Sequence, residues 1–159
     1  MESYMRLKKW IGLGVIALFS FILVSGSALS AGLEVNWNSY QPGMKKIADE
    51  DKKGFILFYT DRCAYCKMMD QKTFSDDAVI TFLNQNFVPI RVDAEEQRDV
   101  AKKYGVNKFP NTWFIAEDQS GIGKRPGFIP PELLLEMLRY IDSDSFRNMS
   151  FQNFMNNEQ

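Results

Sequence analysis

The order of elements legible in this chain, β-α-β-α-β-β-α after a leading helix, predicts an α/β domain with a central sheet flanked by helices. Phe55 to Thr60 is a continuous run of apolar and aromatic residues of strand length, as a strand buried on both faces requires. Phe87 to Asp93 and Asn111 to Ile115 are two further short runs of strand-forming residues. The segments between and after them place their apolar residues at helical spacing. With 159 residues, 45% of them hydrophobic, the chain suits one domain, residues 34–142, with short terminal extensions.

Trp37 and Tyr40 open the domain, and Pro42-Gly43 precedes a short leading helix, Met44 to Lys53, whose Met44, Ile47 and Ala48 share a face. Gly54 opens the first strand, which Asp61 and Arg62 end. A helix follows, breaks at Thr73-Phe74-Ser75-Asp76 and restarts with Ser75 or Asp76 as its cap. Phe87 to Asp93 forms the second strand, and Pro89, which has no N–H to give a ladder, predicts an edge or a bulge. Glu95 to Tyr104 reads as a helix stopped by Gly105 in a left-handed conformation. Asn111 to Ile115 is the third strand, Asp118 to Gly123 a turn, and Lys124 to Phe128 a short fourth strand. Pro130-Pro131 starts the last helix, Glu132 to Ile141, with Leu133, Leu134, Met137, Leu138 and Ile141 inward. Residues 143–159 form a polar, Asn-rich tail in which Phe146, Met149, Phe151, Phe154 and Met155 are available to pack back.

The net charge of −1, from 19 basic and 20 acidic residues, gives no global field toward nucleic acid. Residues 1–30 read as an export signal. Arg6, Lys8 and Lys9 precede the apolar run Ile11 to Val24, and Ala28-Leu29-Ser30 before Ala31 fits the small-x-small rule for cleavage. An uncleaved membrane anchor is the alternative, since the uncharged stretch runs to Leu33. Both place the domain outside the cytoplasm, with basic residues on the inner side.

Only two cysteines exist, Cys63 and Cys66, in a chain bound for an oxidising compartment. A disulfide closing so short a loop contributes little stability, so the pair is better explained by reactivity. At a strand-to-helix junction the first sulfur meets the unpaired N–H groups and positive end of the helix, which favour its thiolate. Cys63 is therefore the expected nucleophile, and Cys66, one turn on, the expected resolving thiol. Zinc wants four ligands, and two cysteines with no histidine in the chain do not supply them. No cofactor and no metal are expected.

Three segments together resemble the thioredoxin superfamily across Trp37 to Ile141. They are Phe55 to Tyr59 leading into Cys63-Ala64-Tyr65-Cys66-Lys67; Val92-Asp93 followed by Ala101-Lys102-Lys103-Tyr104-Gly105-Val106; and Phe109-Pro110-Asn111-Thr112 followed by Gly127. The resemblance implies a thioredoxin fold, with a mixed four-stranded sheet and an N-terminal helical extension. It implies a cis peptide before Pro110 facing the cysteines, where backbone near Phe109 pairs with an extended substrate. Phe58-Tyr59-Thr60-Asp61 and Asp70 to Asp76 look closer to exported reductase branches, among them the periplasmic C-terminal domain of the transmembrane thiol-reductant transporter. There an acidic side chain four residues after the second cysteine tunes the thiols, and Asp70 matches it; a solvent-facing Asp70 paired with Lys67 or Lys72 is the plainer reading. Leu57 stands where thioredoxin has a buried Asp, and Arg62 replaces its Trp. Arg62 favours a thiolate at Cys63, which pushes toward an oxidant, whereas Asp70 raises the thiol pKa near Cys66, which pushes toward a reductant, and is a candidate proton acceptor when Cys66 attacks; Tyr65 is placed to touch a partner protein.

The resemblance, together with the export signal, implies an extracytoplasmic, monomeric protein-disulfide reductase. Its substrates would be protein thiols and disulfides, those of apocytochrome c among them, and its electron donor a membrane thiol-reductant carrier. A disulfide oxidase or isomerase on the same fold, or a copper(I)-binding module using two soft thiolates, are the alternatives.

Overall fold

The structure, a computed structural model, describes residues 33–157; the expected export segment lies outside them. Its elements in chain order are α1 (Tyr40–Glu50), β1 (Lys53–Tyr59), α2 (Ala64–Lys72), α3 (Asp77–Asn86), β2 (Phe87–Asp93), α4 (Arg98–Lys103), β3 (Asn111–Ile115), β4 (Gly121–Pro126), α5 (Pro131–Asp142), a 3-10 turn (Ser145–Arg147) and α6 (Phe151–Asn157). The four strands form one mixed sheet in the order β2-β1-β3-β4, with β1 parallel to β2 and antiparallel to β3. This is the expected thioredoxin fold. Among the described residues no helix is long and apolar enough to cross a membrane.

The period of two along β1 divides the core. Phe55 and Leu57 join residues of α2, α3 and α5 on one face, while Ile56 and Phe58 join residues of α1 and α4 on the other. All four side chains are shielded from solvent, which accounts for the unbroken apolar run. Pro89 lies on the edge strand β2, as expected. Outside it the Asn38 N–H donates to the Pro89 carbonyl at 2.9 Å and the Arg91 N–H to the Asn38 carbonyl at 3.0 Å, so this edge is covered.

Several boundaries differ from the sequence reading, among them the end of β4, at Pro126 and not Phe128. Helix α1 starts at Tyr40, ahead of Pro42-Gly43, because proline is tolerated in a first turn; Gly43 is required there, since an added Cβ would overlap Ile90. The helix ends at Glu50, where Asp51 with φ 51° forms a left-handed C-cap, and not at Lys53. Helix α4 starts at Arg98, not Glu95: Asp93 Oδ1 accepts from the N–H groups of Glu95 at 2.8 Å and Glu96 at 3.3 Å, holding those residues in a turn. Strand β4 begins at Gly121, ahead of the expected Lys124, because the Ser120 N–H donates to Asp118 Oδ1 at 2.9 Å and closes the hairpin sooner. Asp76 caps α3 by accepting from the Ala78 and Val79 N–H groups, and Gly105, with φ 62°, follows α4.

The C-terminal residues pack on the domain. Phe154 is buried, Phe146 lies against the core, and the Tyr140 hydroxyl donates to the Met149 carbonyl at 2.6 Å. Beneath them Lys53, 7% exposed, ion-pairs with Glu117 at 2.8 Å and Asp144 at 3.3 Å. Burial alone would lower the Lys53 pKa, but hydrogen bonds and charge from both carboxylates outweigh it and raise the value above 10.5. For Glu117, burial is likewise outweighed, by the Lys53 hydrogen bond, and its pKa falls below 4.5; Asp144, bonded first to Arg147 and then to Lys53, falls below 3.8. The depressed carboxylates contribute stability that is present above their ordinary pKa values and is lost as pH falls through the lowered ones. The raised ammonium contributes stability that is complete below its ordinary value and is lost as pH rises through the raised one. Lys53→Met should therefore cost about 1–3 kcal/mol near neutrality, and much less at either extreme. Urea unfolding of both proteins at acid, neutral and alkaline pH reads the difference.

Candidate active site

Strand β1 delivers the chain to the site and helix α2 holds it there. After Tyr59 the backbone turns, with the Cys63 N–H donating to the Thr60 carbonyl at 3.2 Å, and Cys63 becomes the N-cap of α2. The Cys66 N–H donates to Cys63 Sγ at 3.1 Å, and the N–H groups of Cys66 and Lys67 both donate to the Cys63 carbonyl at 3.2 Å. A sulfur in the N-cap position thus takes the place of the usual capping oxygen. An anion there is stabilised by the same N–H and by the helix dipole, so this geometry favours a thiolate at Cys63.

Cys63 and Cys66 are joined as a disulfide with Cα atoms 5.2 Å apart. Their exposure is unequal: Cys63 is half-buried, whereas Cys66 is 2% exposed. Of the two, the first is the one open to solvent. Tyr65, 60% exposed, and Arg62, also exposed, flank the pair on the surface.

The third strand brings Pro110 to the same end of the sheet. Asn111 pairs with Phe58, one residue before Tyr59, and the Phe109–Pro110 peptide is cis. The Pro110 carbonyl accepts from the Gly127 N–H at 2.8 Å, fixing it to the end of β4. Gly127 has φ 92°, a conformation that suits glycine. The Phe109 side chain packs against the α1–α4 face of the core. Among the described residues its backbone groups make no hydrogen bond within the chain.

Asp70 is not paired with Lys67 or Lys72. Its Oδ2 instead accepts from Arg91 Nη2 on β2 at 2.8 Å. The guanidinium lies 4.3 Å from the Tyr59 ring centroid and 5.7 Å from that of Trp37. Burial chiefly raises the Tyr59 pKa above 10.0; Asp93, Asp61 and Glu96 add to the rise and Arg91 opposes it. Arg91 and Tyr59 were not singled out from sequence. The available signal was a lone cation inside the apolar strand Phe87–Asp93. Among the described residues no three His, Cys, Asp or Glu groups converge to hold a metal ion.

The family described as thioredoxin-like domain matches residues 40–142. An uncharacterised protein of Archaeoglobus fulgidus is 31% identical over 86 residues, 54% of this chain and 66% of that one. Among solved structures, the DsbD C-terminal domain of Neisseria meningitidis in its oxidised form is 26% identical with a TM-score of 0.53, covering 62% of this chain and 89% of that one. A thioredoxin from Thermus thermophilus has a TM-score of 0.62 at 23% identity, covering 68% and 87% respectively. The chain spans from 9% to 66% of the length of the curated relatives it matches.

Proposed function

The chain belongs to the thioredoxin-like domain family and carries a Cys-x-x-Cys pair joined as a disulfide, and we propose that it is an extracytoplasmic reductase of protein disulfides. The observation that carries this reading is Cys63 at the N-cap of α2, its sulfur accepting the Cys66 N–H, with Cys66 buried beneath it.

In the dithiol state, the Cys63 thiolate attacks one sulfur of a substrate disulfide. A Cys63–substrate disulfide forms and the other substrate sulfur leaves as a thiolate, which takes a proton. Cys66, deprotonated, then attacks Cys63 Sγ; the Cys63–Cys66 bond forms and the second substrate sulfur leaves. The substrate gains two electrons and two protons, and the chain ends in the disulfide seen here. A second exchange, with a dithiol of a membrane thiol-reductant carrier, reverses these steps on the protein and restores it. The unbonded backbone at Phe109, beside Pro110, is suited to pairing with an extended substrate segment, while Tyr65 offers an exposed aromatic surface.

The similarity to the DsbD C-terminal domain supports the reducing direction, and the apolar run with its small-x-small site before Ala31 supports export. Thiol trapping in intact cells tests direction and compartment together. A membrane-impermeant maleimide added to intact cells should label Cys63, and alkylation of a parallel acid-quenched sample after denaturation should find most of the protein as the dithiol. A steady state dominated by the disulfide would make it an oxidase, and inaccessible thiols would place it inside.

A further inference from the structure

Asp70 lies four residues after Cys66 on α2, which puts the two on one helix face with Cβ atoms about 5–6 Å apart. An unbalanced carboxylate there repels a thiolate at Cys66. It is not unbalanced: Arg91 Nη2 donates to Asp70 Oδ2 at 2.8 Å, across from β2 to α2. The guanidinium is itself held, stacked 4.3 Å from the Tyr59 ring and 5.7 Å from Trp37, and its side chain is only 26% exposed. Arg91 lies in register with Leu57, so the sheet position beside it offers an apolar side chain and no competing acid. The other charges at this end are Asp61, Asp93 and Glu96, which bear on Tyr59, and the exposed Arg62, Lys67 and Lys72.

We propose that Arg91 is a positioning residue for the cysteine pair: it holds the Asp70 carboxylate toward β2 and cancels its charge one helical turn from Cys66. The resolving thiol is thereby spared a repulsion that would slow its attack on the mixed disulfide. A planar donor packed against two aromatic rings is held more closely to the carboxylate than a solvated lysine on α2. The proposal rests on Cys63–Cys66 working as a dithiol, but not on the direction of exchange.

Titration of the reduced full-length protein, carrying 13C at cysteine Cβ and followed by NMR, reads Cys66 separately from Cys63. Arg91→Met should raise the Cys66 midpoint by about one pH unit, roughly tenfold less thiolate at a given pH below it. Asp70→Asn, which leaves the guanidinium unbalanced, should lower the midpoint by a comparable amount. The double variant should return it to the wild-type position, and Arg91→Lys should stay close to that position. A merely structural role for Arg91 would not be reversed by removing Asp70. A wild-type midpoint in Arg91→Met, or a rise that persists in the double variant, overturns the proposal. Should Arg91→Met fail to fold, Asp70→Asn alone decides, and an unchanged midpoint there overturns it. Failure to reduce any protein disulfide would end the proposed function without moving these midpoints, so the two fail separately.

Discussion

Cys63→Ser should reduce the rate of insulin disulfide reduction by about a thousandfold or more, to the level of the buffer thiol alone. A serine hydroxyl at the N-cap would still accept the Cys66 N–H and cap α2, so the fold should survive unaltered. What disappears is the thiolate, the one group at this position able to attack a disulfide at neutral pH. Cys66 cannot take over, because at 2% exposure it does not reach a substrate disulfide from beneath Cys63. The companion variant, Cys66→Ser, should behave differently: first attack proceeds, resolution does not, and a substrate adduct accumulates that dithiothreitol releases. Mass spectrometry of the intact protein after mixing with an oxidised substrate separates the two. If Cys63→Ser retained substantial activity, or Cys66→Ser trapped nothing, the assignment of attacking and resolving sulfurs would be wrong.

Phe55→Ala should destabilise the protein by about 3–5 kcal/mol. Phe55 is fully buried at the centre of β1, with its ring 6.2 Å from Trp37, 6.1 Å from Phe74 and 5.8 Å from Phe114. Truncation removes these contacts and leaves a cavity between strands and helices that are tied too closely to collapse around it. In a domain of this size the melting temperature should fall by roughly 10–20 °C. Because β1 leads directly to Cys63, the loss should be visible in thermal unfolding of the disulfide form, with Phe55→Leu costing clearly less. A shift of only a degree or two in Phe55→Ala would mean that this cluster is not the centre of the core.

Most of the architecture was legible because its signals are local. The apolar run of β1, the edge proline of β2, the Asp76 cap and the Gly105 stop each act within a few residues, and each lies where its physics puts it. Two of the errors came where a side chain competes with the backbone pattern. Asp93 holds Glu95 and Glu96 in a turn that periodicity alone reads as helix, and Asp118 closes the β3–β4 hairpin early. At the site, the cysteines and Pro110 were readable from spacing and resemblance. The partner of Asp70 was not: Lys67 and Lys72 are near in sequence, whereas Arg91 is 21 residues away and meets Asp70 only once β2 has paired with β1. Such long-range pairings are set by topology, and no window along the chain contains them. The absence of an acid at Leu57 was visible from sequence; that a cation lies beside it in the sheet, turned to the carboxylate on α2, was not.

The equilibrium redox potential of the Cys63–Cys66 couple, measured against glutathione with Cys66→Ser as control, distinguishes a reductase from a disulfide donor. A reductase supplied with electrons from a membrane carrier requires a strongly reducing dithiol, so the potential should lie near that of thioredoxin, about −270 mV. A value near that of the strong periplasmic oxidase, about −120 mV, would contradict it and make the protein a disulfide donor.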